Sequence, residues 1–206
     1  MDERTTGIIF RTRPLTETSL IVHWLTPDLG RLATVAKGAR RPKSPFRGKL
    51  DLFYLAEFSF VRSRRSELHT LREVSLRQMH PALRQDLAKL QQASACAALV
   101  ERVTETETPL PDIFALFAGL LEYLSSHPAE PKVIFAFVVK LLYQSGLGPD
   151  VTATRLSEGA RQVWRRLRED DWPALVPLRP SDAQVSELRH FLQGITRSSW
   201  GMAVKL

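Results

Sequence analysis

The chain predicts a segregated α+β protein: an N-terminal five-stranded β-barrel of the OB type followed by an all-α helical domain. Three observations carry this. Apolar residues alternate with a period of two up to residue 80 and then recur every three to four residues. Five short strand-like runs, separated by turn residues, fill the first part, as a small closed barrel requires. The positive charge is segregated too: residues 1–80 hold 15 Lys/Arg against 8 Asp/Glu, whereas residues 81–206 hold 14 of each. A length of 206 residues suits one large domain or two small ones with real cores. The boundary is expected between residues 80 and 81.

Gly7 to Arg13 is the first expected strand. Ser19 to Leu25 is apolar at nearly every position, as in a strand covered on both sides. Thr26-Pro-Asp-Leu-Gly30 supplies the turn, and Arg31 to Lys37 is the return strand. Leu52 to Val61 places Leu52, Tyr54, Ala56, Phe58 and Phe60 on one face. Leu68 to Leu76 follows the basic turn Arg62-Ser-Arg-Arg-Ser66. Another small barrel or a sandwich remains an alternative arrangement of these strands. Beyond Pro81, Leu83, Leu87, Leu90 and Ala97 keep helical spacing, as do Ile113, Leu116, Phe117, Leu120, Leu121 and Leu124. Pro131 opens a helix that is apolar nearly all round and stops at Gly146, so it should form the centre of the second core. Val163, Trp164 and Leu167 mark a further helix. Ser181 with Gln184 matches a capping box, and the last helix is expected to continue to Gly194.

Hydrophobic content of 44% with 25% charged residues is ordinary globular composition. Asp2, Glu3 and Arg4 precede no apolar h-region, so no secretory signal is expected. The run Val133 to Tyr143 is interrupted by Lys140 and is too short to span a bilayer. Cys96 is the only cysteine. It rules out an internal disulfide or a multi-cysteine zinc site, and among Leu99, Val100 and Val103 it reads as a buried structural thiol in a reducing cytoplasm. Enzyme signatures are absent. Gly38-Ala-Arg-Arg-Pro-Lys43-Ser44 lacks the second glycine of a phosphate-binding P-loop, and a proline stands where amides must cradle phosphate. Gly146-Leu-Gly148 reads as a helix stop. No Gly-x-Ser-x-Gly elbow occurs, the five histidines lack metal-ligand spacing, and Asp170-Asp171 is an isolated acid pair. Neither a catalytic residue, a metal nor a cofactor is expected.

The formal net charge is +7, and one segment accounts for it. From Arg31 to Lys49 the chain carries Arg31, Lys37, Arg40, Arg41, Lys43, Arg47 and Lys49 without a single acid. Two glycines and two prolines between Lys37 and Lys49 forbid a regular helix or strand, so these cations ride on a flexible loop that can follow a sugar-phosphate backbone without reading bases. Arg62, Arg64 and Arg65 extend the patch if their turn lies on the same side. Phe46, on the loop, is the candidate stacking platform for an unpaired base, whereas Phe10, Trp24, Phe53, Tyr54, Phe58 and Phe60 read as barrel core. Rival readings are an OB-fold RNA or ribosome binder, a metal-dependent nuclease, and a scaffold whose loop binds an acidic protein tail.

Thr26-Pro-Asp-Leu-Gly30, Val35-Ala-Lys-Gly-Ala-Arg-Arg-Pro-Lys-Ser44 and Gly48-Lys-Leu50 before an aromatic-rich strand resemble the N-terminal OB domain of the RecO family of bacterial recombination mediators. Leu141-Leu-Tyr-Gln-Ser-Gly-Leu-Gly-Pro-Asp150 resembles the end of the central helix in that family's C-terminal domain. Many members carry four cysteines just after that segment. Here the chain continues Val151-Thr-Ala-Thr-Arg-Leu156 with none, so zinc is not implied. The resemblance implies binding of single- and double-stranded DNA, annealing of complementary strands, and help to RecA in displacing single-strand-binding protein (SSB), together with RecR. It implies DNA contacts at Lys37, Arg40, Arg41 and Lys43, to which charge adds Arg47 and Lys49. It also implies a helical domain that receives the acidic, apolar C-terminal tail of SSB.

Overall fold

The computed structural model describes residues 2–201, 203 and 204. Five strands, β1 (Asp2–Pro14), β2 (Leu20–Thr26), β3 (Gly30–Ala36), β4 (Leu55–Val61) and β5 (Leu68–Gln78), close into a barrel in the order β1-β2-β3-β5-β4. All pairings are antiparallel except β3 with β5. This is the OB-like arrangement, and six helices follow it. The long strand β1 serves two neighbours, pairing with β4 over Asp2–Ile8 and with β2 over Ile8–Pro14. Gly7 sits at that changeover, where an added Cβ would approach a Phe58 ring carbon to 3.0 Å.

Alternation sets the interior. In β3, Gly30, Leu32, Thr34 and Ala36 are buried while Arg31, Ala33 and Val35 are half-buried on the outer face. Trp24 stacks on Phe58 with 3.9 Å between ring centroids, and its indole N–H donates to Thr34 Oγ1 at 2.9 Å, which leaves the buried polar pair satisfied. β4 begins at Leu55, three residues later than the pattern predicts. Asp51 Oδ1 accepts from the Leu52 amide at 2.7 Å and Phe53 takes a left-handed φ of 63°, so a turn occupies the expected start of the strand.

The chain divides into two compact units, residues 1–81 with 104–115, and residues 82–103 with 116–206. A single cut at residue 80 therefore leaves out 104–115, which belongs with the barrel. The Arg31 guanidinium donates to Thr104 Oγ1 at 2.8 Å, Arg31 O accepts from the Glu107 amide at 2.8 Å, and Pro27 O accepts from the Leu110 amide at 3.1 Å. Gly30, with φ of 67°, makes the approach possible, since a Cβ there would stand 1.8 Å from the Thr108 carbonyl oxygen.

The helices are α1 (Ala82–Gln85), α2 (Leu87–Val103), α3 (Pro111–Ser126), α4 (Pro131–Gln144), α5 (Glu158–Glu169) and α6 (Asp182–Trp200). Among the described residues none is long and apolar enough to cross a membrane. The expected first helix is broken by Asp86, whose carboxylate accepts from the Ala88 and Lys89 amides and so caps α2; Leu87 is exposed beside it. α4 is buried from Lys132 to Val139, with Lys132 donating to Val176 O, Leu178 O and the Glu130 carboxylate. It ends at Gly146 in a Schellman motif, with Gly146 N–H to Tyr143 O and Leu147 N–H to Leu142 O. The capping box of Ser181 and Gln184 opens α6 as expected, but the helix runs through Gly194 to Gly201, where φ of 67° closes it. An interior glycine costs a helix only about 1 kcal/mol, and buried packing at Leu188, Leu192 and Thr196 offsets that. After α4, Asp150 caps a 3-10 turn at Val151–Ala153, and Ser157 caps α5 while donating to Glu187.

Candidate nucleic-acid interface

The basic segment leaves the barrel at Ala36, the last residue of β3. Gly38 (φ 70°) and Gly48 (φ 73°) supply the backbone reversals. Between them runs an unbroken series of three-residue closures: Ala39 to Ala36 O, Arg41 to Gly38 O, Ser44 to Arg41 O, Arg47 to Ser44 O and Lys49 to Phe46 O. The loop expected to be flexible is thus built of consecutive hydrogen-bonded turns. It is tied to the β1–β2 hairpin as well. The Arg40 amide donates to Thr18 O at 2.9 Å, its guanidinium to Thr16 O at 3.2 Å, and the Gly38 amide to Ser19 Oγ at 3.4 Å.

Phe46 corrects the sequence reading. Instead of offering a stacking surface it is 7% exposed and belongs to the barrel core with Ile9, Trp24, Phe58 and Val74. Its apolar ring gains more from burial than from solvent exposure, and it fastens the loop to the barrel. Around it Lys37, Arg40, Arg41, Lys43 and Arg47 are exposed and Lys49 is half-buried. Among the described residues no carboxylate pairs with any of these six.

The turn between β4 and β5 behaves differently. Because β5 runs parallel to β3 with Leu68 opposite Ala33, this turn lies toward the Gly30 end of β3, while the basic loop departs from the Ala36 end. Arg62, expected to face phosphate, donates to Glu3 at 2.8 Å and to Glu107 at 2.5 Å. Its hydrogen bond holds the Glu3 carboxyl below the usual carboxylate range, and Glu3 in turn raises the guanidinium. Glu107 also accepts from the buried His69, whose other ring nitrogen receives the Ser63 amide. Arg62 is therefore a structural tie. Arg64 and Arg65 are exposed, but the topology does not bring them to the loop.

Two basic residues escape the sequence reading. Register aligns Arg11 with His23 and Ala33, and Arg13 with Ile21 and Val35, on the outer face of β1–β2–β3. Arg13 contacts His23 at 3.0 Å. Pro14, Leu20 and Ala36 are level across the three strands, so this face ends at the edge where the loop begins. The signal was present: Arg11 and Arg13 stand two apart at the end of the first predicted strand. From Arg11 to Lys49 the acids are Glu17 and Asp28 alone, and Asp28 lies at the opposite turn, accepting from Thr5.

The described residues hold no group of three or more His, Cys, Asp or Glu able to ligate a metal. Cys96 is buried, and that burial pushes its thiol far above its ordinary range.

Comparison with known proteins agrees with the architecture. Residues 1–80 match the family description "Recombination protein O N terminal" and residues 84–162 match "Recombination protein O C terminal". The chain is similar to proteins named DNA repair protein RecO: 31% identical over 143 residues in Rhodopirellula baltica, 34% over 154 in Salinibacter ruber, and 30% over 164 in Alkaliphilus metalliredigens. These matches take in 69%, 74% and 79% of this chain and 53%, 59% and 66% of the respective relatives. The chain thus spans between about half and two thirds of the length of the curated relatives it matches.

Proposed function

The chain belongs to the RecO family of DNA repair and recombination proteins, and from that premise we propose that its barrel binds single- and double-stranded DNA through phosphate contacts and promotes annealing of complementary strands. In the same reading it helps load RecA onto strands coated with SSB, acting with RecR and with the C-terminal tail of SSB. The observation that carries this is the group of six cations at Lys37, Arg40, Arg41, Lys43, Arg47 and Lys49, held on an ordered loop without carboxylate partners among the described residues. Arg11 and Arg13 continue the positive edge. Arg64 and Arg65 form a separate exposed site at which duplex could be gripped.

Neutralising phosphates on one positive surface lowers the repulsion between two strands, so annealing needs no nucleotide hydrolysis. Six cations meeting phosphates give a log–log salt slope of about −4 on single strands. Fluorescence anisotropy with labelled oligonucleotides from 50 to 300 mM salt, on the order used for such slopes, measures it. A slope near zero removes the mechanism. A strand-annealing assay on SSB-coated strands, with and without RecR, tests the mediator role.

A further inference from the structure

Beside Phe46 the loop encloses a concavity of about 440 Å³. It is lined by Arg40, Arg41 and Arg47 together with the apolar Leu20, Ala39, Pro42, Leu50 and an edge of Phe46. Leu20, Ala39 and Leu50 are half-buried and pack against the barrel core, so an apolar surface is left open to solvent in a concavity that three arginines also line. Phosphate neutralisation alone does not require it. A surface that only neutralised phosphates would be served by cations on a flat, polar loop.

We infer that this concavity is a single-nucleotide subsite: one unpaired base enters against Leu20, Ala39 and Leu50 while the flanking phosphates meet Arg40, Arg41 and Arg47. The inference rests on the phosphate-binding reading above and adds to it a contact with the base itself, at a stated place on the loop. The volume lies within the range of small-ligand pockets. Guanidinium forks match phosphate oxygens in geometry as well as charge. Two of the three guanidiniums are directed by the loop's own carbonyls and its neighbours': Arg40 donates to Thr16 O at 3.2 Å and Arg47 to Pro42 O at 3.4 Å. Lys37, Lys43 and Lys49 add three further cations on the same loop, the first two exposed and the third half-buried. That suits a polymer with one negative charge per residue better than a peptide with a few acids. A base-paired strand cannot enter, because its bases are stacked inside the duplex.

The probe is a single-stranded oligonucleotide compared with one of equal length whose bases are replaced by abasic sites, which keeps every phosphate. The expected result is that the abasic strand binds about tenfold more weakly, with the salt slope unchanged. Ala39→Phe, which fills the concavity, should reduce the affinity for the intact strand to that for the abasic one, and a urea midpoint close to that of the parent protein shows that it folds. Equal binding of intact and abasic strands with a steep salt slope overturns the subsite and leaves the phosphate mechanism standing. Salt-independent binding, or none, removes both. Displacement of the intact strand by an acidic, apolar-ended peptide without any abasic penalty overturns it by identifying a peptide as the occupant. The abasic comparison on the parent protein decides the question even if Ala39→Phe does not fold.

Discussion

Two faces of the same barrel carry exposed cations and use them in opposite ways. On the outer face of β1, β4 and β5, Arg4 reaches Glu57 at 3.6 Å and Glu73 at 3.4 Å, while Arg77 pairs with Glu57 from the other side. The result is a ladder of alternating charge with little net field. At the edge formed by the β3–β4 loop, Lys37 to Lys49 present six cations that no described carboxylate answers. Net charge is therefore a poor guide to a binding surface by itself. What matters is whether the neighbouring strand supplies the opposite sign at cross-strand distance, and a loop built of turns has no neighbouring strand to do so.

The largest effect should come from removing what holds the unpaired face in place. Phe46→Ala deletes a buried ring between two stretches of cations, and should destabilise the barrel by about 3 kcal/mol, read as a shift of the urea midpoint. It should also weaken single-strand affinity, because the loop loses its fastening. A Phe46→Leu variant keeps an apolar anchor and should recover most of both. If Phe46→Ala left stability unchanged, the loop would owe nothing to its contact with the core.

Next in size is the direct comparison of the two faces. Arg40→Ala with Arg41→Ala should lower single-strand affinity roughly 20-fold at 0.1 M salt and reduce the slope by about 1.4, since each lost phosphate contact removes about 0.7. Arg4→Ala with Arg77→Ala removes equal formal charge from the paired face and should change affinity by no more than about twofold, in line with the small worth of exposed ion pairs. Equal losses from both pairs would mean that overall charge, not its local partnering, controls binding.

How far these differences could be read before the fold was known depends on where each partner lies in the chain. The strands and helices were legible because alternation and 3.6-residue periodicity are local patterns. The six loop cations were legible because an acid-free run needs no distant information. Phe46 was not, since a turn has no period to say which side chain points inward. Arg62 looked like its neighbours Arg64 and Arg65, yet Glu3 and Glu107 come to it from 59 and 45 residues away. Arg31 likewise belongs to the acid-free run by sequence and to Thr104 by structure, 73 residues on. Long-range pairing separates the arginines that tie the fold together from those left without a carboxylate among the described residues, and no local pattern encodes it.

Arg62 gives the smaller tests. Its replacement by Ala leaves Glu3 and Glu107 without their cation and should cost about 1 kcal/mol of stability, because the group is 36% exposed and solvent screens the pairs. DNA affinity should fall far less than in the Arg40 and Arg41 variant.

The pH dependence of that cost is the finest discriminator between the faces. Glu3 is held below its ordinary range chiefly by the hydrogen bond from Arg62. A depressed carboxylate contributes its stability fully above the unfolded value of about 4.3 and loses it as pH falls through the lower folded value. The urea midpoints of the parent protein and Arg62→Ala should therefore differ at pH 7 and converge below about pH 4. Among the described residues the cations of the loop have no carboxylate partner to protonate, so Arg40→Ala should show no such convergence in stability. Convergence for Arg40→Ala as well would place a carboxylate beside the loop and close the contrast between the two faces.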